Sequence, residues 1–263
     1  MNRIELGFVE ARRAGRAALM PYLPLGFPTL DVSRQLIRAA ADSGADVIEL
    51  GVPFSDPLAD GLVIQRATHI ALQNGMTLNK CIEMVREARE AGVKIPLVLM
   101  SYYNPILRFG IEASASAAHE AGADGFIVPD LPPEEAGPLD AACREHDLDL
   151  VFLAAPTSTG ERLRLIAQAT QGFLYLVSVV GVTGARERLS EGLREFVERV
   201  RAVTPKPVCV GFGIASAETA RAVAQYADGV IVGSALVSRI GSAESAVREA
   251  REFITGLRAA LDA

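Results

Sequence analysis

Cysteine, histidine and lysine each occur only three times in the 263 residues, and each scarcity removes a kind of chemistry. Cys81, Cys143 and Cys209 are odd in number and fit neither a disulfide framework nor a zinc site, so they read as inert thiols in apolar or helical surroundings. His69, His119 and His146 all fall in helical patterns, where they cannot gather into a metal cluster at strand ends. Lys80 stands at a helix start, and Lys94 and Lys206 precede strands, so none is placed for a Schiff base. No Ser-His-Asp arrangement is readable either. The chain has no long basic run and carries a net charge of −6, which argues against nucleic acid as a partner. No apolar run approaches the roughly 20 residues of a membrane span, and the first 15 residues lack the apolar stretch of a secretory signal. The expectation is a soluble, cytoplasmic protein.

Apolar residues are plentiful, at 50% of the chain against 22% charged, as in an enzyme with a large core. Short apolar runs alternate with longer amphipathic stretches. Candidate strands cover residues 19–25, 47–50, 97–100, 125–128, 150–153, 173–177, 208–210 and 229–232. Candidate helices cover 31–43, 78–91, 112–121, 134–146, 161–169, 190–203, 217–225 and 243–261, with an extra one at 3–13. The strand runs are nearly continuous in apolar residues, as parallel strands buried on both faces require. Glycine follows several helices, as at Gly44 and Gly122, where a left-handed C-cap costs it little. No linker divides the chain. Eight βα units in this length predict an α/β fold, a single (βα)8 TIM barrel over residues 1–263 with an extra N-terminal helix. An open doubly wound sheet is the runner-up.

The active site of such a barrel lies at the C-terminal ends of its strands. After the second strand runs Glu49-Leu50-Gly51-Val52-Pro53-Phe54-Ser55-Asp56-Pro57-Leu58-Ala59-Asp60-Gly61. Glu49 is a carboxylate within an apolar strand. Pointing inward, it would be desolvated and its pKa raised, which suits acid–base work near neutral pH; pointing outward, it would pair with a helix arginine. The loop at 52–61 adds Asp56 and Asp60 and is too long for a tight connection. Gly181 and Gly184, Gly211 and Gly213, and Gly233 with Ser234 follow the last three strands, where backbone amides can approach a phosphate. Taken one by one, these glycines could equally be turn residues. Tyr22, Met100, Tyr102, Ile127, Leu153, Tyr175 and Phe212 lie on or just after strands and could wall a pocket for a flat aromatic ligand, or simply pack the core. The residues alone point to a small phosphorylated substrate with an apolar part, worked on by carboxylates.

The acidic run from Glu49 to Gly61 resembles the signature of the tryptophan synthase α subunit. So do Gly181-Val182-Thr183-Gly184-Ala185-Arg186, Gly211-Phe212-Gly213, Val232-Gly233-Ser234-Ala235, Ile127-Val128-Pro129-Asp130-Leu131-Pro132 and Tyr102-Tyr103-Asn104-Pro105. The similarity runs in order over nearly the whole chain. It implies a lyase that needs no cofactor and no metal. The reaction would be the retro-aldol cleavage of indole-3-glycerol phosphate to indole and glyceraldehyde 3-phosphate, in tryptophan biosynthesis. It implies Glu49 as the general acid–base, Asp60 on the indole N–H, and Thr183 closing over Asp60. Gly184, Gly213, Gly233 and Ser234 would cradle the phosphate. It also implies a pyridoxal-phosphate-dependent β subunit docked on the C-terminal face, in an αββα heterotetramer that passes indole between sites. Two positions depart from the family: Tyr22 stands where phenylalanine is frequent, and Leu62 where a proline usually follows Asp60-Gly61. The alternatives are a stand-alone lyase releasing free indole, a sugar-phosphate isomerase on the same barrel, and a non-catalytic activator of a β subunit.

Overall fold

A computed structural model describes residues 1–177, 192–211, 213–242 and 245–263. Each predicted apolar run contributes to one parallel sheet: β1(Ala18–Pro24), β2(Ile48–Gly51), β3(Leu97–Met100), β4(Gly125–Ile127), β5(Asp149–Val151), β6(Leu153–Ala154), β7(Leu174–Val177), β8(Val208–Gly211) and β9(Gly229–Val232). The spatial order is β5-β4-β3-β2-β1-β9-β8-β7-β6. Its two ends are halves of the single run predicted at 150–153, divided at Phe152. The Phe152 N–H leaves the ladder to meet Thr170 Oγ1 at 3.0 Å, while its carbonyl accepts from Tyr175 N at 3.2 Å. The sheet therefore returns on itself as an eight-run barrel, as predicted.

The period-2 alternation of strands splits the apolar residues into two populations. Leu19, Leu23, Ile48, Leu50, Leu97 and Leu99 face the surrounding helices. Met20, Val47, Val98, Ile127, Val151, Phe173, Cys209 and Ile231 fill the barrel interior. The extra helix α1(Arg3–Arg13) belongs to this second population, contributing Ile4, Phe8 and Ala11. It begins with a capping box between Asn2 and Glu5. Phe8 rests on Phe173, with ring centroids 5.7 Å apart. The helix that precedes the barrel is thus its floor.

The outer layer follows as α2(Leu30–Asp42), α3(Leu62–Gln73), α4(Leu78–Glu90), α5(Tyr103–Phe109), α6(Ile111–Ala121), α7(Gly137–Glu145), α8(Gly160–Ala169), α9(Leu193–Arg201), α10(Ala217–Ala224), α11(Ser234–Ser242) and α12(Ala246–Asp262). Gly44 and Gly122 do take positive φ, of 95° and 88°, after α2 and α6. Three of these helices have no counterpart among the predicted ones. Gly61 starts α3 without a side-chain cap, so the usual start signal is missing. Pro105 suggests a turn, yet it sits in the first turn of α5, where its missing N–H costs nothing. Asp130 Oδ1 accepts from Tyr103 N at that start, at 2.9 Å. α11 follows β9 with only Gly233 between them.

Aspartates repeat at the N-terminal rim. Asp46, Asp124 and Asp228 each accept an N–H at the start of a neighbouring strand, from Leu19, Leu97 and Val208, at 2.8, 2.7 and 2.9 Å. Each also faces arginines: Arg16 and Arg258 at Asp46, Arg3 and Arg89 at Asp124, Arg12 and Arg201 at Asp228. This rim fixes the strand starts and leaves the opposite end free for chemistry. No helix among the described residues is long and apolar enough to cross a membrane.

Removing the ring that seals the floor should be costly. Phe8→Ala is expected to lower unfolding free energy by about 3–5 kcal/mol, through lost burial and the cavity left against Phe173. Urea denaturation followed by circular dichroism measures this, and a loss below about 1 kcal/mol would show that α1 is not part of the core.

Candidate active site

Alternation along β2 decides which way Glu49 points. Ile48 and Leu50 face the helices, so Val47 and Glu49 face the barrel interior. Glu49 is fully buried, beside Tyr22 on β1 and Val98 on β3. Neither carboxyl oxygen has a hydrogen-bond partner among the described residues. Burial alone pushes the carboxyl up to about 8. The outward reading, with Glu49 paired to a helix arginine, does not hold.

Asp60 comes from the loop after β2 to the same neighbourhood, sharing with Tyr22, the strand partner of Glu49, the lining of one cavity. Tyr102, just beyond β3, donates its hydroxyl to Asp60 Oδ2 at 3.0 Å and accepts from Ala59 N at 2.9 Å. Gln65 Nε2 holds the Asp60 carbonyl at 2.8 Å, and Phe54 packs on Tyr102 with ring centroids 5.3 Å apart. Burial pushes the Asp60 carboxyl up to about 6, and the Tyr102 hydrogen bond works against that rise. Burial thus favours the neutral form of Glu49 to higher pH than that of Asp60, whose ionised form the Tyr102 hydroxyl supports.

A narrow cavity of only about 10 Å³ lies here, lined by Asp60 and by the predicted Tyr22, Met100 and Tyr102, while Glu49 lies behind Tyr22 and does not itself line it. Val52, Phe54, Thr68 and Ser101 also line it, and sequence reading did not single them out as wall residues. Phe54 had a signal, as the aromatic within the acidic loop; Thr68 lies on the unforeseen α3 and had none. Tyr22 and Tyr175 each lie over a glycine on the neighbouring strand. A side chain at Gly51 would collide with the Tyr22 hydroxyl, and one at Gly211 with that of Tyr175. Ile127, Leu153 and Tyr175 sit in the barrel interior and do not line the cavity.

Of the predicted phosphate residues, Gly233 ends β9 and Ser234 opens α11, while Gly213 follows β8 with φ 82°. The Gly233 carbonyl accepts from Val237 N at 3.0 Å, so the first-turn amides of α11 are left without helical partners. Such a turn is suited to an anion. Gly213, Gly233 and Ser234 are all partly accessible. Thr183, Gly184 and Phe212 lie outside the described residues. Among the described residues no group of three or more His, Cys, Asp or Glu could hold a metal ion.

A parallel barrel with a buried, unpartnered carboxyl, a second carboxyl held by a phenol and open helix-start amides after its strands belongs to the class of α/β barrel enzymes. Comparison with known proteins narrows the class. The sequence profile of the tryptophan synthase alpha chain matches residues 8–261. The tryptophan synthase alpha chain of Roseiflexus sp. (strain RS-1) is 52% identical over 260 residues, covering 98% of this chain and 100% of that one. That of Dehalococcoides mccartyi is 44% identical over 262 residues, covering both chains completely. A chain in a structure of Mycobacterium tuberculosis tryptophan synthase superposes with a TM-score of 0.93 at 43% identity, over 100% of this chain and 99% of that one. The alpha subunit from Legionella pneumophila gives a TM-score of 0.93 at 38% identity, over 100% and 99%. The chain belongs to the tryptophan synthase alpha chain family.

The geometry predicts how the two carboxyls titrate. Carboxyl-detected ¹³C NMR should give Glu49 a midpoint near 8 and Asp60 one near 6. Tyr102→Phe should move Asp60 upward, because it removes the hydrogen bond that favours the ionised form, and leave Glu49 in place. A shared midpoint near 4 for both groups would contradict their burial.

Proposed function

We propose that Glu49 and Asp60 divide the acid–base work of the α reaction of tryptophan biosynthesis. That reaction is the cleavage of indole-3-glycerol phosphate to indole and glyceraldehyde 3-phosphate. The carrying observation is the placement of two carboxyls about Tyr22: Glu49 is fully buried without a described hydrogen-bond partner, and Asp60 accepts from the Tyr102 hydroxyl, so burial pushes the first up to about 8 and the second only to about 6.

The reaction needs both states. Carbon–carbon cleavage cannot leave a bare carbanion on the indole ring. Protonated Glu49 delivers its proton to indole C3, which turns the ring into an indolenine, an electron sink made from the substrate itself. Ionised Asp60 accepts the ring N–H and stabilises the positive charge that develops on nitrogen. Glu49, now a carboxylate, removes the proton from the adjacent glycerol hydroxyl. That oxygen becomes the aldehyde carbonyl, the carbon–carbon bond breaks, and its electron pair restores the aromatic indole. Glu49 ends with the proton it began with, so neither a metal nor a Schiff base is required.

Remaining roles follow the same plan. Tyr22, Met100 and Tyr102 flank the ring with Thr183 and Phe212, and Ile127, Leu153 and Tyr175 support them from the interior. Gly184, Gly213, Gly233 and Ser234 hold the phosphate, using the open amides of α11. The partner is the pyridoxal-phosphate-dependent β subunit, in an αββα heterotetramer in the cytoplasm. Leu58 and Leu62, beside the mouth, are 91% and 65% exposed and offer it apolar surface.

Glu49→Gln should remain folded and lose roughly 10²–10⁴ in turnover of indole-3-glycerol phosphate, the scale of a missing acid–base group. Asp60→Asn should also lose most turnover, yet bind glyceraldehyde 3-phosphate as the parent does, since the phosphate is held at the other side of the mouth. Steady-state kinetics and calorimetry decide this; near-normal turnover by folded Glu49→Gln would remove it from the chemistry.

A further inference from the structure

A second cavity, of about 530 Å³, opens at the other end of the barrel, between α1, α9 and the turn from α10 into β9. Its floor is apolar, with Phe8, Val197 and Ala227 all buried. Its rim is cationic. Of the arginines that line it, Arg16 is committed to Asp46 and Asp262, at 2.7 and 3.5 Å, which do not line the cavity. Glu198, on the rim, is matched by Arg194 at 3.0 Å. Arg12 and Arg201 are left to face Asp228 alone.

Asp228 is already engaged. Its Oδ2 accepts from Val208 N at 2.9 Å and forms an ion pair with Arg201 Nη2, also at 2.9 Å. Arg12 Nη2 stands 3.9 Å from Oδ1, beyond hydrogen-bond reach. The Arg12 guanidinium makes no hydrogen bond to any described residue, although it stands over an apolar floor. Arg201 uses Nε and Nη2 on the Tyr226 carbonyl, at 3.1 and 3.0 Å, and keeps Nη1 free. Two guanidiniums against one carboxylate leave a single positive charge without a partner.

We infer that this cavity binds a small monocarboxylate with an apolar, aryl or branched alkyl body. The carboxylate would bridge Arg12 and Arg201, matching the forked geometry of guanidinium donors. The body would lie on Phe8 and Val197. One negative charge completes the local balance. A phosphate dianion is disfavoured relative to a monoanion: the excess over Asp228 is one positive charge, and the C-terminal ends of α1 and α9 at this cavity oppose each further negative charge. The site is distinct from the mouth at Glu49: it lies on the opposite face, and its floor is the helix that plugs the barrel.

The test is ¹⁹F NMR of 4-fluorobenzoate with the full chain. Saturating glycerol phosphate is present throughout, to occupy the other mouth. The expected result is saturable broadening, weakened at least roughly fivefold by Arg12→Gln, and weaker by a similar factor for neutral 4-fluorobenzyl alcohol. Arg12 is 70% exposed, so this substitution leaves the fold intact, which circular dichroism verifies. The inference is overturned by absence of saturable binding, by broadening that Arg12→Gln does not change, or by equal binding of the neutral alcohol. Displacement by inorganic phosphate as effective as by benzoate would also overturn it, showing a general anion site.

Discussion

The proposed chemistry depends on the desolvation of one carboxyl. Glu49 lies on a strand whose two faces are both buried, and alternation turns it inward with Val47. No described residue offers it a hydrogen bond, so its neutral form is favoured up to about pH 8. This has a cost for folding. An exposed glutamate loses its proton near 4.5, so between that value and about 8 the folded chain holds a proton that the unfolded chain has released. Stability therefore falls as pH rises through this interval. A buried, unsatisfied acid kept at the end of a well-packed barrel fits catalysis better than it fits packing.

The second carboxyl is treated differently by the same fold. Asp60 is brought in by a loop and secured through Tyr102, which bonds both its side chain and the preceding amide. One hydrogen bond to the ionised form offsets part of its burial. The difference between the two groups arises from placement: a strand interior for Glu49, a loop with a phenol for Asp60. Glycines on neighbouring strands complete the mouth, since Gly51 and Gly211 give room for the Tyr22 and Tyr175 rings.

The barrel was legible because parallel strands buried on both faces leave continuous apolar runs, and all eight such runs join the sheet. The added helix at 3–13 was also legible, although its role as a floor was not, because the contact between Phe8 and Phe173 spans most of the chain. α3, α5 and α11 escaped sequence reading for local reasons: an uncapped start at Gly61, a proline in a first turn, and a helix that follows its strand without a loop. At the mouth, residue type and strand position singled out Glu49 and Asp60 as candidates, and both lie beside Tyr22. The direction of Glu49 remained open until alternation around Ile48 and Leu50 was visible. Tyr102 was legible as a wall residue, while its grip on Asp60 was not, because nothing in the spacing of residues 60 and 102 reports a hydrogen bond. Gln65 had no signal at all.

The central claim is that the mouth works with Glu49 protonated and Asp60 ionised. The pH dependence of kcat/KM for indole-3-glycerol phosphate cleavage tests it most directly, because that ratio reports the free enzyme. Activity should fall as pH drops through about 6, where Asp60 gains a proton, and fall again as pH rises through about 8, where Glu49 loses one. A rate that keeps rising above pH 9, or one that stays flat down to pH 5, would contradict this division of roles.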